Sequence, residues 1–480
     1  MAAWFFDWAT IQGKDVTRRS AVIEGESPAA SVSLWRRQWP LPRARGCEWR
    51  LSPKWVVAVL ALLFHLSGAS WTATEVPFPS RIDELHHVSY IVAMAEAPAL
   101  FPDFERMRVL DGRGERFTSK GNHLNHPSPY YHLMALIGTV ADSGPPRIRL
   151  LRMASLVLSG AGVLLMLLGG MALLPNLATF AAFAGILVMF PKLAVVGGLI
   201  NNDNLGVLAA GLCFASLARL YQGETSRTGV LLGLGIALAG WTKLTVLVMV
   251  GLAVLIGEVL RLGAVADRAR WPVLGIAAAV GSVGVVPTVQ NLIGYGAPLY
   301  IFIRPGHNFI PVADRPDLDI LTHGVLFFHH MALKWPALEP AQWLQSLGFA
   351  AVVLGVLAVG ATWAVSRLGR GNAIPDPADG GAASLMAVAY GLSATATVFI
   401  HMAFGWEMFR KMGDLTAAQP RYYYVVWPGV ALAGAVALRL LPAGRWRFYG
   451  TLAVLLLLGL ATIQIAAVSA ALTGTPLTPR

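Results

Sequence analysis

Long uninterrupted apolar runs organise this chain. They lie at roughly 55–74, 150–173, 177–197, 204–221, 228–242, 244–262, 272–292, 343–366, 384–403, 423–441 and 447–471. Most have about the length of helix that crosses 30 Å of hydrocarbon, some 17 to 25 residues. Ten-residue segments of alternating polarity, the pattern of a membrane β-barrel, do not occur. The pattern predicts an all-α polytopic membrane protein of about eleven transmembrane helices. A twelfth apolar stretch, 127–140, is too short to span comfortably, and reads as an interfacial helix in the first outer loop.

Charge settles the expected orientation. If 127–140 lies in the interface and the N-terminus is cytoplasmic, Arg261, Arg268, Arg270, Arg367, Arg370, Arg439, Arg445 and Arg447 all fall on the cytoplasmic side, as the positive-inside rule asks. Were 127–140 a span, all of them would flip outward. The segments 75–149, 293–342 and 404–422 then face outward, joined by two short turns at 198–203 and Thr242–Lys243.

Composition agrees with a membrane chain. Of 480 residues 56% are hydrophobic and 13% charged, against about 25% charged in a soluble domain, and the mean hydropathy is +0.59. The net charge of +11 comes from basic residues flanking the apolar runs, with no aromatic-interleaved basic face, so nucleic acid is not an expected partner. Cys47 and Cys213 form no disulfide framework. Residues 1–54 are basic, without an apolar signal-peptide core. They read as a cytoplasmic, disordered arm or an over-extended reading frame, ahead of a transmembrane domain at 55–480.

Candidate chemistry gathers on the outward side. After Pro77-Phe78-Pro79-Ser80, a helix would place Asp83, His87 and Tyr90 on one face, a carboxylate beside imidazole and phenol suited to accepting a hydroxyl proton. Ser80-x-x-Asp83 can equally be a capping box. Asn125-His126-Pro127-Ser128-Pro129-Tyr130-Tyr131 opens the interfacial helix, with proline suited to its first turn. The turn Asn201-Asn202-Asp203-Asn204 is explained by helix capping, or by Asp203 acting with Asp83 on a divalent cation or an acceptor. Lys243, at a junction with no loop, either snorkels or binds a phosphate. Arg421, beside Tyr422 at the start of a late run, is similar. His307, His323, His329 and His330 are weaker candidates, and the adjacent pair lacks zinc-ligand spacing.

The ordered series Asp83-Glu84-x-x-His87, His126-Pro127-x-Pro129-Tyr130-Tyr131, the Asn/Asp turn, Thr242-Lys243 and Arg421-Tyr422 resembles the GT-C superfamily of membrane glycosyltransferases. The protein O-mannosyltransferase and aminoarabinose-transferase-like groups, family 39-like, are the nearest in pattern, over about 55–440. The resemblance implies sugar transfer from a polyprenyl-phosphate carrier to an extracytoplasmic glycan, lipid or protein acceptor at a bacterial inner or plasma membrane. It maps the catalytic base to Asp83 with Glu84 beside it, and a second acid to Asp203. Lys243 and Arg421 map to the donor phosphate, and His126, Pro127 and Tyr130 match the interfacial helix. Gln290-Asn291, then Gly294-Tyr295-Gly296-Ala297-Pro298, departs from an Arg-Asn…Tyr-Gly-x-Pro pattern, with Gln290 replacing the arginine. Competing readings are a flippase for lipid-linked glycans, for which Lys192 is a mid-span charge, and a non-catalytic envelope scaffold.

Overall fold

The computed structural model describes residues 52–80, 83–141, 143–189, 191–222, 226–262, 271–296, 381–412, 420–438 and 449. The expected span at 343–366 lies outside them, as do that at 447–471 apart from Tyr449, His307, His323, His329, His330 and residues 1–51 of the arm. The chain from Leu51 onward forms one unit.

Six described helices are long and apolar enough to cross a membrane: Pro53–Glu75, Pro145–Leu173, Asp203–Tyr221, Leu244–Arg261, Trp271–Tyr295 and Gly381–Trp406. The first, α1 (Pro53–Glu75), starts with proline in its first turn, where a missing N–H costs nothing. Between it and α4 (Pro145–Leu173) come α2 (Glu84–Glu96), α3 (Pro129–Gly138) and an antiparallel hairpin of β1 (Arg108–Leu110) and β2 (Phe117–Gly121). The hairpin is a departure from the all-α expectation. The expected interfacial segment forms the ten-residue α3, capped by Ser128, whose side chain accepts the Tyr130 N–H, with Pro129 in the first turn.

Three expected spans are interrupted, each at a proline. The run 177–197 divides into α5 (Leu177–Val188) and α6 (Pro191–Gly197), because Pro191 lacks the N–H that would continue the ladder and its ring crowds the carbonyl a turn earlier. The run 272–292 consists of α10 (Trp271–Gly281), a tighter 3₁₀ turn at Ser282–Val285 and α11 (Val286–Tyr295), with Pro287 at the restart. The run 423–441 opens as a 3₁₀ turn, Pro420–Val425, before α13 (Trp427–Ala437), with Pro428 in its first turn. In contrast α12 (Gly381–Met412) runs 32 residues, well past the expected end at 403.

Packing follows small residues. Helix α7 (Asp203–Tyr221) is the most enclosed of the six candidate spans, 89% of its apolar window being buried. It lies against α4 so closely that a Cβ on Gly162 would meet the Val207 carbonyl, and one on Gly211 the Gly162 carbonyl. Small residues let helix backbones approach this way where water supplies no driving force. Helix α8 (Ser226–Thr242) packs on the other side of α7 and carries α10 in turn, while α9 (Leu244–Leu262) packs on α12, α12 on α13 and α13 on α5. Arg261, expected at the cytoplasmic end, is buried and pairs with Glu258 at 3.0 Å. The remaining basic residues of the orientation argument lie outside the described residues.

One end of the bundle carries a second apolar core. Tyr90, Ile91, Tyr130, Tyr131 and Met134, from α2 and α3, pack with Leu151, Ile200 and Leu205. The same end gathers the connections expected to face outward. Phe101 lies against Trp241, Phe104 against Tyr295, and Asn291 donates to the Asn125 carbonyl.

Candidate functional site

The site is built on the start of α2. The helix begins at Glu84, with Asp83 at the N-cap position in the left-handed region (φ 53°) and making no side-chain cap. The capping-box alternative for Asp83 is therefore not what forms. Instead Glu84 accepts the Ser80 N–H. Glu84 is fully buried and bidentate with Arg152 of α4, at 2.8 Å to Nε and 2.7 Å to Nη2, and also accepts the Ile200 N–H. Arg152 in turn donates to the Ala73 and Val76 carbonyls. Both carboxylate oxygens are thus engaged, and Glu84 ties α1, α2, α4 and the 198–202 turn together. Sequence reasoning missed Arg152, although a charge at the edge of an apolar run is itself a signal.

Of the expected face of Asp83, His87 and Tyr90, the last two engage α3 and the segment before it. His87 Nδ1 meets the Tyr131 hydroxyl at 2.9 Å and Tyr90 donates to the His126 carbonyl, so both point into the α2–α3 core. Asp83 is one-third exposed, with Oδ1 3.8 Å from His123 Nε2. Tyr130 is buried against Ser155 at 2.7 Å. Burial pushes the Tyr131 phenol well above its usual range, with further contributions from Tyr90, Tyr130, Asp203 and Asp83.

A second group forms where α7 begins. Asn201 Oδ1, rather than Asp203, accepts at the helix start, taking the Asp203 N–H at 2.8 Å. The Asp203 side chain is left for tertiary contact. Its Oδ1 receives the Lys243 ammonium and, at 3.4 Å, the Tyr424 hydroxyl. Tyr424 reaches that far because residue 206, one turn along α7, is glycine: a Cβ there would collide with the hydroxyl. The Asn202 amide donates to the Thr242 carbonyl, closing the turn onto the junction that carries Lys243. Tyr424 was not singled out from the sequence, and Tyr422, which was, packs on the His401 ring. The Arg421 side chain, like that of Lys192, lies outside the described residues.

Several buried polar atoms here have no hydrogen-bond partner among the described residues. They are both ring nitrogens of His126, Asn201 Nδ2, Asn202 Oδ1, Asp203 Oδ2 and Asn204 Oδ1. Such atoms are rare in folded proteins and each needs an explanation. Burial holds the His126 imidazole well below its ordinary range, and the charges of Lys243 and His123 lower it further, so His126 is neutral at physiological pH.

Among the described residues, the group able to hold a metal ion is Asp83, His86 and His123, whose ligand atoms all lie within 4.8 Å of one another. Asp203, expected beside Asp83 at such an ion, is not in this group; its Oδ1 accepts from Lys243. Along the bundle end, a cleft of about 400 Å³ opens between Phe101–Glu105 and the end of α11, where Gln290 and Asn291 line it.

No protein-family model matches the chain, and no curated protein matches it. Solved structures similar to it include ArnT from Cupriavidus metallidurans bound to undecaprenyl phosphate and the same protein in the apo state. The first is 12% identical, covers 88% of this chain and 77% of its own, and has a TM-score of 0.48. The second is 13% identical, covers 88% of this chain and 76% of its own, with the same TM-score.

Proposed function

We propose that this protein is a membrane glycosyltransferase. It would move a hexose from a polyprenyl-phosphate carrier to a hydroxyl of a glycan, lipid or protein acceptor on the extracytoplasmic face of a bacterial membrane. The observation that carries this reading is the buried polar group around Lys243. It offers donors at Lys243, His126 and Asn201, and acceptors at Asp203, Asn202 and Asn204. A bare phosphate matches only the donors. A sugar phosphate matches both kinds, its phosphate oxygens taking the N–H groups and its hydroxyls giving to the oxygens.

The chemistry needs a base for the attacking hydroxyl and positive charge on the departing phosphate. As the acceptor oxygen bonds to the anomeric carbon, the bond to the carrier phosphate breaks and the acceptor proton passes to Asp83. Lys243 stabilises the charge growing on the phosphate, and Asp203 fixes the lysine in place. The order of motifs along the sequence supports the same assignment. Glu84, held by Arg152, shapes the site without taking the proton.

The test is purified protein in lipid, given radiolabelled polyprenyl-phosphate hexoses and membrane extract as acceptor. Label should move into a product resistant to the mild acid that cleaves the donor. Label that crosses the bilayer and stays on the carrier would establish a flippase instead. In the same assay Lys243→Ala should weaken donor use by about 1.5–3 kcal/mol, roughly 10–150-fold, the worth of a charge-assisted contact. Removing Lys243 also leaves Asp203 buried and unpaired, a destabilising change, so the double variant Lys243→Met, Asp203→Asn is needed. It should regain stability without regaining donor use. Unimpaired donor use in both would remove Lys243 from the reaction.

A further inference from the structure

Two imidazoles and a carboxylate converge at the mouth of this site. His86 stands in the first turn of α2, and its ring centroid lies 4.1 Å from that of His123, at 57°. Asp83 Oδ1 is 3.8 Å from His123 Nε2. Each of the three residues is partly buried, open enough for an ion to enter from water.

The arrangement is held by Asn122. The Asn122 amide, from the end of the hairpin, donates to the His86 carbonyl at 2.9 Å. The Asn122 N–H bonds to the Met107 carbonyl, and its Oδ1 accepts from Leu124. His123 is thereby pinned beside His86, although 37 positions separate them in the chain. Asp83 meets both because its backbone is left-handed, a conformation that a non-glycine residue adopts at a cost and that clusters at functional sites.

We infer that Asp83, His86 and His123 form a binding site for a divalent transition-metal ion of the zinc class. Imidazole nitrogens with one carboxylate oxygen suit zinc, cobalt or iron(II) better than magnesium or calcium, which prefer oxygen alone. Zinc with nitrogen and oxygen ligands at about 2.0–2.2 Å sets tetrahedral ligand atoms about 3.4 Å apart. The ligand atoms lie within 4.8 Å of one another, so the largest separation has to close by about 1.4 Å to reach that spacing. Three protein ligands leave a fourth position open, as in catalytic rather than structural zinc sites. The second carboxylate oxygen of Asp83 stays available to an acceptor. The inference concerns ion binding and goes beyond the transfer reaction proposed above.

The test uses the full chain in detergent, stripped with a chelator and titrated with Co²⁺, with no sugar donor present. One equivalent should bind and give the visible absorption of a low-coordinate cobalt site, and Zn²⁺ should displace it. His86→Ala and His123→Ala should each weaken binding by at least the roughly 10–100-fold that loss of an outer-shell partner costs. His132→Ala, on α3 with its ring on the Ala99 carbonyl, should bind as the unaltered protein does. His123→Asn, at a partly exposed position, replaces any alanine variant that fails size-exclusion. Absence of a stoichiometric site in the unaltered protein overturns the inference, as does full affinity in folded His86 and His123 variants. Because no donor is present, that failure would leave the transferase reading untouched, and lack of transfer would leave the metal site standing.

Discussion

Asp83 sits at a φ of 53°, where a side chain with a β-carbon costs about 1–2 kcal/mol. Asparagine tolerates this region almost as well as aspartate, so Asp83→Asn keeps both shape and backbone while removing the base. Transfer by the folded variant should fall by roughly 10²–10⁴-fold, measured as single-turnover rates. An unchanged rate would end its assignment as base. His126 makes a prediction of the opposite kind, about stability. Its folded imidazole titrates well below the ordinary 6.5, so the unfolded chain takes up the proton first. The sign follows: its contribution is complete above about pH 6.5 and is lost as pH falls below it. Melting temperature should therefore drop between about pH 7.5 and pH 5, and His126→Asn should drop less steeply. Parallel curves would mean that His126 is not held neutral.

At the scale of elements, the main fixture is the Glu84–Arg152 pair. Four elements meet on its two side chains through buried contacts of 2.6–3.2 Å. Glu84→Gln keeps the size of the side chain but strands a buried guanidinium, a change of about 3–5 kcal/mol where such pairs have been broken. Thermal melting in detergent should show the loss, with turnover of the surviving protein largely retained. A turnover loss of the Asp83→Asn size in a protein of normal stability would return Glu84 to the chemistry. Arg152→Met in the Glu84→Gln background should recover part of the stability, since no charge is then left unpaired. The interrupted helices belong to this scale too. The prolines at 191 and 287 were visible in the apolar runs, but hydropathy averages over them. Only hydrogen-bond geometry shows that each begins a new helix.

For the whole molecule, the expected orientation becomes a test on described positions. Glu115 lies in the hairpin at the site end, and Gln222 follows the far end of α7, a helix of 19 residues and so about 28 Å long. Single cysteines at Glu115 and Gln222, in a background lacking Cys47 and Cys213, should react with an impermeant thiol reagent from opposite sides. Glu115 should label from outside. Labelling from one side only would break the parity on which the topology rests.

The sequence alone determined that this chain is built of apolar helices, because the length of a helix that crosses hydrocarbon is written directly in run lengths. It also grouped the polar connections at one end, since each crossing reverses direction and the parity of crossings is a matter of counting. The pinned contacts among Asn125, Asn291, Asp203, Lys243 and Tyr424 show those connections meeting. What it left open was which polar residue meets which. Asp83 comes to lie with His86 and His123, because the helix starts only at Glu84 and a left-handed residue precedes it. Glu84 and Asp203 each found a cation 40 or more positions away. Such pairings follow no sequence period. They are set by how α4, α7 and the hairpin pack, and by the cost of leaving a buried charge alone, which only the tertiary structure resolves.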